Sequence, residues 1–291
     1  MKKIHQFLKR TSARPDTEKP ELYDLSRAND SRRLEKLLAS KQIQHVIDDY
    51  NEQLREYFAV QNPSRVYGPT FEAEFQEYVE KIQKKRPLLE HGRWVFFPWI
   101  STLVHILDEK AFFSVRTARN RNLITEEEQK KFYDAVVGIA GLSVGNSVAL
   151  ALTLQGGARH IKLADHDLLA LSNTNRVRAG VDSLGIAKVE VTARQIYLLN
   201  PYAKIDLFPE GLTEKNMDRF FKGLTVMIDE IDNLAVKYRI RDYAKKHKLP
   251  LVMAADNGDN AVVDVERYDH TPQPAFFHGR MGQVTHKELK E

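Results

Sequence analysis

The C-terminal half of this 291-residue chain predicts an α/β domain, a mostly parallel sheet with helices on both faces, behind a smaller and mainly helical N-terminal part. Three observations predict it. From Asp134 onward, short apolar β-rich runs alternate with segments of helical period. A glycine-bearing turn, Gly138-Ile139-Ala140-Gly141-Leu142-Ser143-Val144-Gly145, leaves one of those runs and enters a helical segment. Upstream, apolar residues recur at three- and four-residue spacing instead.

Composition narrows the function classes. The chain is 42% hydrophobic and 29% charged, as in soluble globular proteins. No run approaches the roughly 20 apolar residues that span a bilayer. The basic start MKKIHQFLKR is not followed by an apolar stretch, so a secretory signal is not expected and a cytoplasmic location is. The net charge of +4 comes from 44 basic and 40 acidic residues intermixed, which argues against a nucleic-acid face and for no membrane partner. With no cysteine, the chain cannot form a disulfide, a cysteine-ligated zinc site, an iron–sulfur cluster or a thioester.

In chain order, residues 1–30 are polar and proline-bearing and read as an extended or flexible arm. Residues 31–115 read as the mainly helical domain. Leu34, Leu37 and Leu38 share a face, and Ile43, Val46, Ile47, Tyr50, Leu54 and Tyr57 continue the spacing to about Gln61. Asn62-Pro63-Ser64 breaks it, and Phe71, Phe75, Tyr78, Val79 and Ile82 predict another helix over about Thr70 to Lys84. Arg93 to Trp99 and Leu103 to Leu107 read as two strands joined near Pro98. Phe112 to Arg119 looks helical, and Thr125 with Glu128 forms a capping box.

Residues 116–291 then supply the α/β domain. Strands are expected at 135–140, 160–165, 204–208, 224–229 and 251–254, with an antiparallel strand at 261–268. Helices are expected at 143–154, 186–199, 214–221 and 235–247. Gly156-Gly157 and Asn200-Pro201 act as helix stops.

A glycine turn between buried strand and helix brings backbone N–H groups toward a phosphate. The spacing departs from GxGxxG, because Ala140 and Ser143 stand where two glycines would be. Tight strand–helix packing explains the turn as well. Asp165 ends the next strand at the position of a ribose-binding carboxylate, and equally suits a turn cap. Spacing does not separate it from Asp167.

The residues Asp165-His166-Asp167 followed by Ser172-Asn173-Thr174-Asn175-Arg176 resemble the D-x-D…S-N-x-x-R segment of the ThiF/MoeB/ubiquitin-activating family. Gly185-Ile186-Ala187-Lys188 looks like its G-x-x-K, Asn200-Pro201 like its N-P, and Asp229-Glu230-Ile231-Asp232-Asn233 with Arg239 like its D-x-x-D-N…R. Arg116-Thr117-Ala118-Arg119-Asn120 resembles its R-x-x-R-Q. The resemblance spans about Arg116 to Tyr268 and implies a Rossmann-like adenylyltransferase.

It implies an ATP site built on Gly138, Gly141, Gly145, Asp165, Asp167, Asn173 and Asn233. Arg176 and Lys188 would face the triphosphate, Asp232 would hold Mg²⁺, and Arg119 would be an arginine often delivered across a dimer interface. The implied reaction is attack of a carboxylate on the α-phosphorus of ATP, giving an acyl-adenylate and pyrophosphate. The implied partners are a small ubiquitin-like protein or a peptide carboxylate, within a homodimer or heterodimer.

Departures from the family pattern are informative. Without cysteine there is no thioester or persulfide step and no zinc from cysteine pairs. Val177 replaces the usual glutamine after the motif arginine. The family commonly continues past the equivalent of Phe276-Phe277-His278-Gly279, so a fragment, or completion by another chain or domain, is expected. Two other readings compete: a nucleotide-binding partner subunit without catalysis, and an NAD-dependent oxidoreductase, for which Arg176, Lys188 and Asp232 have no obvious use. The histidines, His105, His160 and His166 among them, read as packing or surface residues.

Overall fold

The computed structural model describes residues 18–280, which divide into two compact units at Leu123/Ile124. The flanking stretches 1–17 and 281–291, including most of the expected arm, lie outside the described residues.

The first unit contains more sheet than its sequence suggests. Four strands, β1 (Glu21–Tyr23), β2 (His45–Asp48), β3 (Arg93–Phe97) and β4 (Thr102–Ile106), lie in the order β1-β3-β4-β2. The expected β3–β4 hairpin is present and antiparallel, while β2 runs parallel to β4. Strand β1 falls within the stretch read as an arm, and Tyr23 is buried at 1% exposure, so that part of the reading is corrected.

The helical pattern expected from Ser31 to Gln61 is also corrected. It is two helices, α1 (Ala28–Ala39) and α2 (Tyr50–Gln61), separated by β2. The chain reverses at Lys41 with φ +60, and Val46 and Ile47, adjacent and β-branched, take ladder bonds beside β4 while remaining exposed. Helix α3 (Phe71–Gln83) and α4 (Glu109–Arg116) complete the unit. Tyr50, Leu54, Phe58, Phe71, Phe75 and Val79 form its helical core. His105 packs between the rings of Tyr50 and Trp94, its Nε2 on the His91 carbonyl and its Nδ1 on Asp48, as expected for a packing histidine.

The second unit follows the alternation read from the sequence. Helix α5 (Glu126–Asp134) opens with the expected capping box, Thr125 accepting from the Glu128 amide and Glu128 returning to Thr125. Then come β5 (Val136–Ala140), α6 (Gly145–Leu154), β6 (His160–Ala164), α7 (Lys188–Leu199), β7 (Lys204–Phe208), α8 (Met217–Phe221), β8 (Val226–Asp229), α9 (Leu234–His247), β9 (Pro250–Asn257) and β10 (Asn260–Arg267). The sheet order is β10-β9-β8-β5-β6-β7, parallel except for the β9–β10 hairpin. The chain therefore winds outward from β5 through β6 to β7, and then returns to build β8 on the other side of β5. That makes β5 the switch point, where crevices open at strand carboxyl ends.

Strand β5 is buried on both faces. Ile139 meets α6, and Ala140 joins Phe208, Phe220, Phe221, Met227 and Ile240 in a core beneath α8 and α9. Lys162, inside β6 and 5% exposed, turns its ammonium onto the carbonyls of Arg219 and Lys222 at the end of α8. It thereby satisfies helix-end acceptors that a short helix cannot bond itself; burial pushes its pKa below the ordinary lysine value.

A second buried cluster ties the sheet's edge to its centre. Arg241 on α9 donates to Asp229 at the end of β8 at 2.8 Å. Its Nε stands 2.7 Å from Glu266 on β10, close enough for an ion pair though out of line for a hydrogen bond. All three side chains are fully buried. Glu266 also accepts from Tyr268 Oη and the Phe277 amide, and the Phe277 ring covers the guanidinium at 3.7 Å. Among the described residues, no helix is long and apolar enough to cross a membrane.

Arg241→Ala would leave buried Glu266 without its cation and buried Asp229 with Lys237 alone, 3.4 Å away. A loss of about 3 to 5 kcal/mol is expected, on the order of 10 °C in the Tm of the second unit, read by thermal melting followed by circular dichroism.

Candidate nucleotide site

Three loops meet at the carboxyl ends of β5, β6 and β8, whose last residues Ala140, Ala164 and Asp229 are paired across the ladder. Gly141 is the pivot. Its φ of +86 is in the left-handed region, and an added Cβ would lie 2.2 Å from the Glu230 carbonyl oxygen. Only glycine lets the loop after β8 come so close. Its amide donates to the Ala164 carbonyl, which joins the turn to β6.

The next amide, Leu142, donates to Asp165 Oδ2 at 2.7 Å. Asp165 Oδ1 accepts from the Asp167 amide at 2.8 Å. The carboxylate, 8% exposed, thus holds both loops in shape, and its remaining lone pairs are available to ribose hydroxyls. The amides of Ser143, Val144 and Gly145, opening α6, donate to no protein oxygen among the described residues, and Val144 provides no side-chain cap. Unpaired amides at the positive end of a helix form an anion cradle.

Lys188 enters from the first residue of α7. Its ammonium lies 2.7 Å from Asp167 Oδ2, 3.3 Å from Ser143 Oγ and 4.0 Å from Asp165 Oδ2. The lysine beside it holds the Asp167 carboxyl below its usual range. Asn146, fully buried in the first turn of α6, donates to Thr192 and Gln195 of α7 and so fixes the two helices together next to Lys188. Asp165, His166 and Asp167 bring ligand atoms within 4.8 Å of one another, but it is the Lys188 ammonium that stands against the two carboxylates.

The other expected residues are placed differently. Gly145 abuts Ile139, where a Cβ would come within 2.7 Å, so it serves the turn by letting α6 sit on β5. Gly138, grouped with the turn in the sequence, lies inside β5; a Cβ there would meet Leu224 at 2.7 Å and Phe220 at 2.9 Å, so its role is helix–sheet packing. Asn173 Oδ1 accepts from the Ala170 amide, and Asn233 Oδ1 caps α9 at the Val236 amide. Arg176 is exposed, bonded to Ser172 and Asn175 of its own loop, while Val177 beside it is buried against Leu169, Ile186 and Val191.

Asp232 is exposed and makes no hydrogen bond or ion pair among the described residues. Arg239, included in the motif, is turned away and pairs with Glu214 at 2.9 Å on the wall of a cleft beside the loop after β7. Arg119 is exposed in the 3-10 turn Ala118–Asn122 of the first unit.

Sequence reasoning missed Glu230, Lys237, Arg241 and Glu266. Glu230 accepts from the Ala254 amide at 3.1 Å, where β9 runs on past the end of β8, and its own amide bonds the Ala140 carbonyl. Burial pushes its carboxyl up to about 7, against the pull of the Ala254 amide and Lys237. Arg241 had a sequence signal: with Tyr238 and Ala244 it lies on the buried stripe of α9.

Sheet order and switch point define a Rossmann-like α/β domain whose crevice opens at the carboxyl end of its central strand. The chain belongs to the ThiF family, whose sequence model matches residues 117–276. It is 39% identical over 221 residues to the uncharacterized protein MT1398 of Mycobacterium tuberculosis, covering 74% of this chain and 31% of that one. It is 34% identical over 141 residues to the tRNA threonylcarbamoyladenosine dehydratase of Escherichia coli, covering 47% of this chain and 52% of the relative. With the sulfur carrier protein adenylyltransferase of Thermus thermophilus it shares 27% over 158 residues, 54% and 55% of the two chains. The chain thus spans from under a third to about half the length of these relatives.

Two outcomes are expected from the site's geometry. Gly141→Ala loses about 1 to 3 kcal/mol from the left-handed φ and more from the clash of its Cβ with the Glu230 carbonyl, measured by urea unfolding. For Glu230 the raised folded value means that the native state holds more protons between the ordinary glutamate range and about pH 7, so its contribution to stability falls as pH rises through that window. Glu230→Gln, which keeps the acceptor for Ala254, is therefore more stable than wild type at pH 8, by on the order of 1 kcal/mol after allowance for solvent screening, and the gap closes toward pH 5 in thermal melts run with EDTA.

Proposed function

We propose that the second unit binds ATP with Mg²⁺ and activates a carboxylate as an acyl-adenylate. The observation that carries this reading is the buried Lys188 ammonium, set against Asp165 and Ser143 beside three uncommitted amides. A single crevice thus offers a ribose acceptor, a phosphate cation and an anion cradle. Family membership and likeness to a relative named as an adenylyltransferase support it.

In the proposed reaction a carboxylate oxygen attacks the α-phosphorus, the bond from that phosphorus to the bridging oxygen breaks, and pyrophosphate leaves. Lys188, with Arg176 turned inward from its exposed loop, offsets the charge that builds on the phosphate oxygens. The residues present fit Mg²⁺ at Asp232. Asp165 is committed to two amides and Asp229 to Arg241, whereas Asp232 is uncommitted, and a hard cation prefers such a carboxylate with phosphate oxygens. Arg119 would add a further cation, from its own chain or from a neighbour in a homodimer or heterodimer.

The carboxylate would belong to the C-terminus of a small ubiquitin-like protein or to a peptide. A second reading is favoured by the likeness to the dehydratase: a carboxylate on a modified nucleoside, captured by a nucleophile of the same molecule. Either way the chain has no cysteine, so the acyl group passes from the adenylate to an acceptor brought by the substrate or another protein. The cytoplasm, where ATP is supplied, is the compartment this chemistry suits.

Exchange of labelled pyrophosphate into ATP with candidate carboxylates tests the reading. Exchange that falls by about 100-fold or more in Lys188→Ala and Asp232→Asn is expected. ATP binding without exchange on any carboxylate would make the unit a binding module instead, and a thermal shift with NAD but not ATP would move it to the oxidoreductases.

A further inference from the structure

Lys188 sits where burial and a helix dipole both oppose a cation. It is 4% exposed, its ammonium leaves water, and as the first residue of α7 it faces the positive end of a helix dipole. Such an ammonium needs an anion beside it at all times. Two carboxylates are near, and they differ. Asp165 is 8% exposed and fixed by the Leu142 and Asp167 amides, and it stays 4.0 Å away. Asp167 makes the close contact at 2.7 Å, yet its side chain is 53% exposed, and beside it stand the exposed His166 at 3.5 Å and the like-charged Asp165, all within 4.8 Å of one another. One partner is immovable and distant, and the other is close and free to swing into solvent.

Resting on the ATP reading above, we propose that Asp167 is an internal stand-in for phosphate. It holds the Lys188 ammonium while the site is empty and releases it when a polyphosphate reaches the α6 cradle. The geometry makes the exchange local. Ser143 Oγ, in the cradle itself, is already 3.3 Å from the same ammonium. The lysine need only turn from Asp167 toward Ser143, and Asp167 then moves outward, away from the incoming anion. Asp167 competes with the ligand, so the pair lowers affinity for every anion that draws on Lys188. Asp167 is thus a positioning residue that keeps the Lys188 ammonium beside the cradle until phosphate replaces it.

The test is calorimetric titration of wild type and Asp167→Asn in EDTA with ATP, inorganic tripolyphosphate and adenosine. Removing the competitor is expected to tighten ATP and tripolyphosphate by about threefold to tenfold, the range of a half-exposed charge-assisted pair. Adenosine, which does not reach Lys188, is expected to bind both forms equally, so a general loosening of the fold would not give the same pattern. Asp167→Glu restores the wild-type values. Should Asp167→Asn fail to fold, Asp167→Ser removes the same charge with a smaller side chain. Unchanged or weaker tripolyphosphate binding in the uncharged variant overturns the proposal, because Asp167 would then be neutral or a contributor to binding. If tripolyphosphate tightens as expected while no carboxylate supports pyrophosphate exchange, the handover stands and the adenylation reading falls. If wild type binds neither ATP nor tripolyphosphate, both fall.

Discussion

The site depends on one carboxylate bonding backward to a glycine turn. Asp165 takes the Leu142 amide on one oxygen and the Asp167 amide on the other. Through the first bond it fixes the turn after β5, and through the second it shapes its own loop, so that Asp167 faces Lys188. Each bond is a charged acceptor meeting a backbone donor in a nearly dry setting, the strong kind of hydrogen bond. The turn can accept this clamp because Gly141 lets the third loop press against it.

Behind the loops, the sheet supplies rigidity by two different means. Beneath α8 and α9 it is apolar packing around Phe208, Phe220 and Met227. At the edge it is a charge cluster, in which Arg241 joins the last residue of β8 to β10. Such a cluster contributes little net stability compared with well-packed apolar residues. What it offers is placement: the loop that begins at Asp229 and carries Glu230 and Asp232 starts from a buried carboxylate held by Arg241 and Lys237.

Much of the second unit was legible because strand and helix alternate over short distances, and each segment announces itself through local pattern. Strands β5, β6 and β7 fall within a residue of the expected spans. The first unit was harder, because Val46 and Ile47 suit a helical stripe as well as an edge strand, and only the distant partner β4 decides. The same limit applies at the site. Gly141 is recognisable in the turn between strand and helix, and Asp165 and Lys188 through the resemblance of their motifs, since spacing alone does not separate Asp165 from Asp167. The use of Gly138 as a packing residue, the burial of Arg241 in place of Arg239, and the bond from Glu230 to Ala254 depend on neighbours remote in sequence.

The aromatic cover over Arg241 changes where this fold can be cut. Counting strands would end the unit at Arg267, yet Phe277 closes the guanidinium from solvent and lends its amide to Glu266. A version trimmed after the last strand would admit water to an arginine whose two carboxylate partners were arranged for a dry interior. The packed unit therefore extends to the ring that seals it, Phe277, well past the last strand residue Arg267.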